Sequence, residues 1–474
     1  MKNNPQKFTK IVATIGPVTE TEAKLKAIFE AGVDVARFNT KHGTPEWHHE
    51  RILRVRKVAK EMNKPVAVLM DLQGPEIRIN LPDEDEFSMK KGDAANFLAD
   101  GSTSNLPNAI TIPEIAIEMI ETGQLILIDD GFCQFEVITK KSGHFEAVAL
   151  DDFVVKHRKS MSLPGLVTDM PVLVENDYTQ LDGIQDNEVD YIALSFVRDK
   201  EDVLTLRKEL EKRDLTAGVI AKVENQAALD NLSEITEVSD GIMIARGDLG
   251  VEVSYEELVY WQRKIITVCR ERGKPVITAT HMLETMIENP LPTRAEISDV
   301  AHAIYDRTDA VMLSGETTIG KFPVKAVTVQ AKIAKFNEKH VEPKIQQCGY
   351  STGEYNISHA AANLVINQPA KIDSVICLTE KGRTAALISR QRPNLPVHVI
   401  TSSEQVYHKL ALYYGLIPHI VDWPTETKLG NAKKLVEMIG DVEWLESGQK
   451  VLVLHGPVWG QPGKTNTMSI ETIE

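Results

Sequence analysis

The chain has 474 residues, more than the ~250–300 at which a single hydrophobic core stops growing, so two or three domains are expected. Its formal net charge of −15 argues against a general surface for nucleic acid or membranes, since both need a basic face. Four scattered cysteines without metal or disulfide spacing, a polar and basic beginning, and the lack of an apolar run of ~18 residues together predict a cytoplasmic protein.

Apolar runs alternate with helical patterns at the beginning of the chain. The runs predict strands over 10–16, 33–39 and 65–71, and the patterns between them predict helices over 20–31 and 45–62. Such an alternation is typical of a parallel sheet whose strands are joined by helices.

The pattern changes between about residues 74 and 162. Short runs of alternating apolar and polar residues appear over 124–129, 133–139 and 144–150, and glycine and aspartate turns separate them. We therefore predict a small β-rich domain of residues 74–162, inserted in the loop after the third strand.

The alternation of strand and helix then resumes, and further strands are predicted at the five runs beginning near residues 190, 219, 241, 275 and 309. Eight such units predict an α/β fold of the closed (β/α)8 TIM-barrel type. The barrel would comprise residues 1–73 and 163–340.

Residues 345–474 are predicted to form a separate C-terminal α/β domain. A helix is expected over 358–367, and strands are expected over 374–379, 397–401 and 450–455. The turn after the first of these strands offers polar side chains that suit a phosphate at a helix N-terminus, namely Thr379, Lys381, Arg383 and Thr384. Glu380 opposes that interpretation, and such turns also occur for packing alone.

Polar residues follow nearly every predicted barrel strand at its carboxyl end, where barrel enzymes carry their chemistry. They are Thr14, Arg37, Asn39, Asp71, Ser195, Lys222, Glu224, Arg246, Asp248, Thr280, Ser314 and Glu316. Any one of them has an ordinary structural explanation. Their common position favours an active site over a ring of solvated loop ends.

Two carboxylates and a lysine are expected together at the ends of the fifth and sixth strands. Glu224 and Asp248 offer the oxygen ligands that Mg²⁺ prefers, and Lys222 would stabilise negative charge that develops on a substrate oxygen. The alternative is that Lys222 with Glu224 and Arg246 with Asp248 are two surface ion pairs.

Four cations in this acidic protein suggest an anionic substrate, because arginine and lysine bind phosphate and carboxylate groups. They are Arg37, Arg78, Lys159 and Lys222. Cations and Mg²⁺ around a transferring phosphoryl group are the general design of phosphoryl-transfer sites. The sequence has neither a P-loop nor the glycine loop of protein kinases.

Several motifs occur in order along essentially the whole chain, and together they closely resemble the pyruvate kinase family. They include Ala36-Arg-Phe-Asn39, Gly74-Pro-Glu-Ile-Arg78, Lys222-Val-Glu-Asn225, Arg246-Gly-Asp-Leu-Gly250, Pro292-Thr-Arg-Ala-Glu296 and Met312-Leu-Ser-Gly-Glu-Thr317. The resemblance implies Mg²⁺- or Mn²⁺-dependent transfer of a phosphoryl group from phosphoenolpyruvate to ADP in glycolysis, giving pyruvate and ATP. It also implies that the inserted domain is a mobile lid, that the C-terminal domain is regulatory and responds to a phosphorylated metabolite, and that the enzyme is a homotetramer.

The resemblance also implies roles for individual residues. Lys222, Thr280 and Arg37 would be catalytic, and Gly247 and Asp248 would join them in binding the substrate. Glu224 and Asp248 would bind the divalent metal. The nucleotide would contact four further residues, Asn39, His42, Arg78 and Lys159.

The sequence departs from the family at the monovalent-cation site. Family members that bind K⁺ have serine where this chain has Lys41, and the site here would comprise Asn39, Lys41, Asp71 and Leu72. Leu72 and Gln73 resemble K⁺-independent members, although those usually have lysine in place of Glu76. We predict K⁺ independence, with the Lys41 ammonium group replacing the ion. The alternative is that Lys41 points to solvent and the site is degraded.

Two other functions compete with the kinase interpretation. A metal-dependent aldolase or lyase acting on pyruvate would use the same barrel, metal and lysine, but it would not need Arg78 and Lys159. A non-catalytic binding protein is disfavoured because Lys222, Glu224, Asp248 and Thr280 are all intact. The identity of an effector, cooperativity, nucleotide preference and the choice between tetramer and dimer stay open.

Overall fold

The computed structural model describes residues 7–82, 85–102, 106–166, 170–185, 187–343, 353–367, 372–423, 445–459 and 463–473, together with residues 345, 428 and 461. Residues 1–6, at the start of the first predicted segment, and residues 346–352, within the predicted C-terminal domain, lie outside the described residues.

Eight parallel strands form a closed barrel, which confirms the prediction of a TIM barrel. The strands are Lys10–Thr14, Val35–Asn39, Ala67–Asp71, Tyr191–Leu194, Gly218–Val223, Gly241–Ala245, Val276–Ala279 and Ala310–Leu313. The first strand pairs with the eighth, with Lys10 opposite Ala310, so the sheet has no free edge. All eight strands are almost entirely buried, because side chains fill the barrel and helices cover it.

Helices surround the barrel between consecutive strands. They are Glu22–Ala31, Pro45–Glu61, Glu175–Asp182, Lys200–Glu211, Gln226–Asp230, Leu232–Val238, Arg246–Glu252, Leu258–Arg272, Arg294–Tyr305, Gly315–Thr318 and Pro323–Asn337. Several begin at a capping residue, as at Thr44, whose hydroxyl accepts a hydrogen bond from the backbone of Trp47. The first ends at Gly32, whose φ of 126° is accessible to glycine and strained for other residues.

The insertion after the third strand is β-rich, as predicted. Its main sheet has the strand order Ile77–Arg78, Ser160–Ser162, Leu125–Ile128, Cys133–Lys141, His144–Ala149, Ala94–Ala99 and Ala109–Ile112. A second sheet pairs Glu86–Met89 with Phe153–Lys156, and one helix spans Glu114–Met119. This domain has its own core, in which Phe97 stacks on Phe145 with ring centroids 4.7 Å apart.

The C-terminal domain contains a five-stranded sheet in the order Leu416–Ile420, Val397–Thr401, Ser374–Leu378, Lys450–His455 and Thr467–Thr472. Only the last strand is antiparallel to its neighbour. Helices span Gly353–Asn367, Arg383–Ser389 and Glu404–Lys409. The first begins five residues before its predicted start at Ser358, because Ile357 also packs against the core of this domain.

Four aspartates organise the amino-terminal end of the barrel, three of them buried and one, Asp240, with a side chain that is 39 % exposed. Each precedes an even-numbered barrel strand and accepts a hydrogen bond from a backbone N–H of the strand before it. The pairs are Asp34 with Ile11, Asp190 with Val68, Asp240 with Val219, and Asp309 with Val276. Each carboxylate also forms an ion pair with a cationic side chain. In the same order, the partners are Lys7, Arg56, Arg207 and Arg392. Because Arg392 belongs to the C-terminal domain, that domain completes this end of the barrel.

The ion pair between Arg392 and Asp309 should be a principal link between the C-terminal domain and the barrel. Both side chains are 2 % exposed, and their closest atoms are 2.6 Å apart. Arg392→Met would leave a buried carboxylate without its cation, so we expect a destabilisation of about 3–5 kcal/mol and a lower midpoint of thermal unfolding.

The double variant Arg392→Met/Asp309→Asn should recover part of that loss, because it also removes the buried charge. Arg54→Met is the control, since Arg54 pairs with the exposed Glu50 and such pairs contribute at most about 1 kcal/mol. Equal midpoints for the Arg392→Met and Arg54→Met proteins would contradict the assignment.

Candidate active site

A small cavity of about 90 Å³ lies at the carboxyl ends of the barrel strands. Six of the eight strands contribute to its wall, directly or through the residues that follow them. Eight of the residues predicted for the site line it: Arg37, Asn39, Lys41, Asp71, Lys222, Asp248, Thr280 and Ser314. Residues far apart in the sequence are thus brought together at the expected end of the barrel.

Asp71 occupies the centre of this cluster and is 1 % exposed. Its carboxylate lies 2.7 Å from Arg37 Nε and 3.4 Å from Lys222 Nζ. Burial alone would raise the pKa of Asp71, but Lys222, Arg37 and Lys41 together hold that pKa below its usual value. The carboxylate is therefore ionised and fixes two of the predicted catalytic cations.

Lys222 is a buried ammonium group with three polar neighbours. Its Nζ donates a hydrogen bond to Ser195 Oγ at 2.8 Å and lies 2.7 Å from Glu224 Oε1. Ser195 Oγ in turn donates to the carbonyl oxygen of Leu72. Burial would lower the pKa of Lys222, but the carboxylates of Asp71, Glu224 and Asp248 raise that pKa above its usual value. Lys222 therefore keeps its positive charge.

Glu224 is buried beside Lys222 and accepts a hydrogen bond from the backbone N–H of Phe196 at 2.6 Å. Burial raises its pKa to about 7, Asp248 adds to the rise, and Lys222 opposes it. A divalent cation would offset the mutual repulsion of Glu224 and Asp248. Within the described residues, no group of three or more candidate metal ligands occurs. Two carboxylates nevertheless fit Mg²⁺, which commonly takes its other ligands from water and substrate phosphate.

The backbone after the seventh strand is strained. Thr280 and His281 have φ values of 67° and 52°, in a region that β-branched residues rarely adopt. The Thr280 hydroxyl accepts a hydrogen bond from the backbone N–H of Gly247 at 2.7 Å. Arg246 holds this turn by donating to the carbonyl oxygens of Ala279 and Thr280. Backbone strain of this kind is typical of residues in active sites.

The proposed surface ion pairs are wrong in two ways. Lys222 does pair with Glu224, but both side chains are buried. Arg246 pairs with Asp299 through two hydrogen bonds of 2.6 and 2.7 Å, and not with Asp248. The second carboxylate, Asp248, is therefore left facing the cavity.

Lys41 forms an ion pair with Glu76, with Nζ 3.2 Å from Oε2. Its side chain is 23 % exposed, and its backbone N–H donates to Asn39 Oδ1. Lys41 and Asp71 line the same cavity, whereas the Leu72 side chain is buried in the hydrophobic core. An ammonium group thus lies beside the predicted monovalent-cation site.

The predicted nucleotide contacts lie outside this small cavity, with the exception of Asn39. Arg78 pairs with Glu76 at 2.9 Å, and Lys159 pairs with Asp129 at 2.7 Å. His42 is exposed, and its carbonyl oxygen contacts His48 Nε2. Arg78 and Lys159 are therefore held by acidic neighbours and do not line the cavity.

Sequence reasoning missed two acids that position the site, the buried Asp177 and the half-buried Asp299. Asp299 anchors Arg246, and Asp177 accepts hydrogen bonds from the backbone N–H groups of Gln73 and Gly74, where the chain leaves the barrel for the inserted domain. Burial raises the pKa of Asp177, although these hydrogen bonds oppose the rise. Neither acid lies at a strand end, so no pattern in the sequence singled it out.

The four predicted effector residues have different neighbours. Thr379 Oγ1 accepts a hydrogen bond from the backbone of Gly382, and the hydroxyls of Thr384 and Thr465 lie 2.9 Å apart. Lys381 and Arg383 are exposed and line a different groove, between the C-terminal domain and the barrel.

The closed barrel, the inserted β-rich domain and the buried charges at the strand ends define the class of this protein, a (β/α)8-barrel enzyme suited to an anionic substrate. Two family models match the chain: "Pyruvate kinase, barrel domain" over residues 6–327 and "Pyruvate kinase, alpha/beta domain" over residues 355–471. The chain belongs to the pyruvate kinase family, and it is therefore an enzyme that transfers phosphate from phosphoenolpyruvate to ADP.

Individual relatives agree with the family models. The chain is 37 % identical to pyruvate kinase of Staphylococcus epidermidis over 480 residues and 38 % identical to that of Geobacillus stearothermophilus over 478 residues. Each alignment covers 98 % of this chain and 80 % of the relative. The fold is similar to the crystal structure of a pyruvate kinase from Cryptosporidium parvum, with a TM-score of 0.89, 29 % identity, and coverage of 99 % of this chain and 97 % of that one.

Ser195 should position Lys222 without touching the substrate. Ser195→Ala removes the hydrogen-bond acceptor at 2.8 Å from Lys222 Nζ, so we expect kcat to fall about fivefold to tenfold, while KM for phosphoenolpyruvate changes less than twofold. Steady-state kinetics would measure both constants.

Ser195→Thr, which keeps the hydroxyl, should recover most of the lost rate. Ser239→Ala is the matched control, since that hydroxyl donates to Ile235 at the other end of the barrel. An unchanged kcat in Ser195→Ala would contradict the positioning role.

Proposed function

We propose that this enzyme is a glycolytic pyruvate kinase that requires Mg²⁺ or Mn²⁺, does not require K⁺, and uses Lys222, Arg37 and Thr280 as its catalytic residues. The observation that carries the proposal is the buried Lys222 ammonium group between Asp71 and Glu224. A fixed cation in a site that excludes water stabilises developing negative charge far better than a mobile one in solvent.

The reacting phosphoryl group would lie between Arg37 and Lys222. Both cations are already oriented by Asp71, so little reorganisation is needed as charge develops on the phosphoryl and enolate oxygens. Glu224 and Asp248 would hold the divalent ion, which neutralises phosphate charge when bound. The Gly247 N–H and the Thr280 hydroxyl would position the substrate carboxylate, with Thr280 near the face on which the enolate is protonated.

The nucleotide would bind between the barrel and the inserted domain. Asn39 ends the second barrel strand and His42 follows it, whereas Arg78 and Lys159 belong to the inserted domain. Each cation has an acidic partner that nucleotide phosphates would replace, Glu76 for Arg78 and Asp129 for Lys159. Movement of the inserted domain as a lid would bring these cations to the phosphates and exclude water, which limits hydrolysis.

Lys41 would take the place of K⁺. Its ammonium group lies 3.2 Å from Glu76 and contributes to the low pKa of Asp71, so it supplies positive charge to both carboxylates. The limited exposure of its side chain supports this role over a lysine that points into solvent. This role of Lys41 also explains the glutamate at position 76. K⁺-independent relatives are expected to have a lysine at that position, and here the Lys41 ammonium group supplies the positive charge instead.

The remaining assignments are also proposals. We propose that the enzyme is a cytoplasmic homotetramer. We propose that the domain boundaries lie at residues 73, 162 and 340 of each chain. We also propose that a phosphorylated effector binds near Thr379, Lys381, Arg383 and Thr384. Exposed apolar residues on and beside one barrel helix support contact between subunits, with Tyr255 89 % exposed and Val259 and Tyr260 60 % exposed. Among the described residues, no helix is long and apolar enough to cross a membrane.

Steady-state pyruvate formation from phosphoenolpyruvate and ADP tests the cation proposal. With Mg²⁺ in Tris buffer, we expect the wild-type rate to be the same with and without K⁺. Lys41→Ser removes the ammonium group, so this variant should lose at least tenfold in rate without K⁺ and recover when K⁺ is added. Lys57→Ser, which changes an exposed lysine paired with Glu22, is the control.

Lys222→Met separates the two parts of the proposal. It should lose at least about 100-fold in kcat under both conditions, because it removes the proposed catalytic cation. Strong K⁺ activation of the wild type would reject Lys41 as the ion substitute and leave the kinase assignment intact. A full rate in Lys222→Met would reject the assigned catalytic role. An absence of pyruvate formation in every condition would favour the aldolase or lyase alternative.

A further inference from the structure

The chain leaves the barrel for the inserted domain through residues 71–76, which we call the crossing segment. Its first residue, Asp71, pairs with Lys222. The carbonyl oxygen of Leu72 accepts a hydrogen bond from Ser195 Oγ at 2.7 Å, and that hydroxyl accepts one from Lys222 Nζ at 2.8 Å. The position of the crossing segment therefore bears directly on the Lys222 cluster.

Gly74 packs closely against the barrel. Its φ of 67° lies in the left-handed region that favours glycine, and a Cβ atom at this position would come within 2.8 Å of Ser195 Cβ. The next residues, Pro75 and Glu76, are less buried and line a cavity between the inserted domain and the barrel. The close contact of the crossing segment with the barrel therefore ends at Gly74.

Asp177 holds the crossing segment by its backbone. This residue is fully buried in the first turn of the helix that begins at Glu175. Its carboxylate accepts hydrogen bonds from the N–H groups of Gln73 at 2.8 Å and Gly74 at 3.1 Å. It also accepts one from the N–H group of Val174 at 3.0 Å, just before its own helix. Two of these three bonds thus go to the crossing segment.

Helix capping alone does not explain this arrangement. An acid in the first turn of a helix commonly binds the N–H group of the residue before the helix, as Asp177 binds that of Val174. Such a bond needs neither burial nor contact with a second segment. A buried carboxylate is unfavourable unless it is hydrogen-bonded, and here Gln73 and Gly74 supply the additional bonds.

Asn176 extends the contact to the loop after the second barrel strand. Its Nδ2 donates to Gln73 Oε1 and to the carbonyl oxygen of Thr40, both at 3.0 Å. Thr40 in turn donates to the carbonyl oxygen of Asp71 through its N–H group and its hydroxyl. The first turn of this helix therefore joins the crossing segment to the loop in which the predicted nucleotide contact His42 lies.

We propose that Asp177, supported by Asn176, is a positioning residue that fixes the pivot of the inserted domain at Gly74. With this backbone held on the barrel, movement of the inserted domain would begin at Pro75 and would leave the Lys222 cluster undisturbed. This role rests on the proposed function of the inserted domain as a lid that delivers nucleotide contacts.

A fixed pivot matters because both proposed nucleotide cations of the lid lie beyond it. Arg78 belongs to the first strand of the inserted domain, and Lys159 precedes the strand that pairs with it. A displaced pivot would move both cations, and an error of about 1 Å can cost about 100-fold in rate. Arg37 and Lys222 belong to barrel strands and are held by Asp71, so the effect should fall on ADP rather than on phosphoenolpyruvate.

Steady-state kinetics of the full-length Asp177→Asn protein test the proposal. An amide offers one acceptor oxygen in place of two and turns N–H donors towards other N–H groups. We expect KM for ADP to rise about fivefold or more, while KM for phosphoenolpyruvate changes less than about twofold.

Asp190→Asn is the matched control. Asp190 is also buried, and it accepts a hydrogen bond from the N–H group of Val68 at the opposite end of the third strand. This variant should lose stability but keep both KM values.

Amide hydrogen exchange reads the pivot directly. The N–H groups of Gln73 and Gly74 should exchange about tenfold faster or more in Asp177→Asn than in the wild type and in Asp190→Asn. Asn176 is only half-buried, so Asn176→Ala should fold even if Asp177→Asn does not. It should show the same separation of the two KM values, with KM for ADP raised about twofold to threefold.

An unchanged KM for ADP in both variants would overturn the proposal, and so would an unchanged value in Asn176→Ala if Asp177→Asn does not fold. Equal rises in both KM values would also overturn it, because a general loss of structure has that effect. Lys159→Met distinguishes the pivot from the proposed nucleotide contact. A raised KM for ADP in Lys159→Met beside an unchanged one in Asp177→Asn would overturn the pivot alone. The reverse result would reject the contact at Lys159 and support the pivot.

Discussion

The buried carboxylate of Asp71 is the constraint on which the catalytic end of the barrel depends. Arg37 and Lys222 come from different strands and would repel each other without it. Burial makes a single charge unfavourable here, so the carboxylate and the two cations are stable only together. Lys222 then lies against Glu224, which couples the proposed phosphoryl site to the proposed metal site. Substrate and metal would therefore enter a site whose charges are already oriented.

The two ends of the barrel balance their charges differently. At the carboxyl end, the cations Arg37, Lys41 and Lys222 all have acidic neighbours. At the amino-terminal end, four aspartates each have a cation, but the C-terminal domain adds further arginines for which few acids are present. The same domain contact thus supplies Arg392 to the barrel and leaves Arg390 with unmet donors. Docking of the C-terminal domain is therefore part of the charge balance at this end of the barrel.

Much of the barrel and its mouth could be predicted, because each buried strand is an apolar run that ends in a polar residue. The positions of Lys222, Glu224 and Thr280 follow from that pattern together with the carboxyl-end rule for barrels. The partners of these residues could not be predicted, since a pattern does not say which distant side chains meet. Asp299 reaches Arg246 from a helix, and Asp177 reaches the start of the insertion from another. The pairing of Lys41 with Glu76 likewise required the three-dimensional structure.

The kinetics of Asp71→Asn, measured beside its Mn²⁺ affinity, test the central claim most directly. An amide cannot hold two cations, so we expect kcat to fall about 100-fold, while Mn²⁺ binding at Glu224 and Asp248 stays within a few-fold and shows that the site is folded. Asp100→Asn, in the inserted domain, is the control. A kcat within twofold of wild type would show that Arg37 and Lys222 do not depend on Asp71 and would contradict the account.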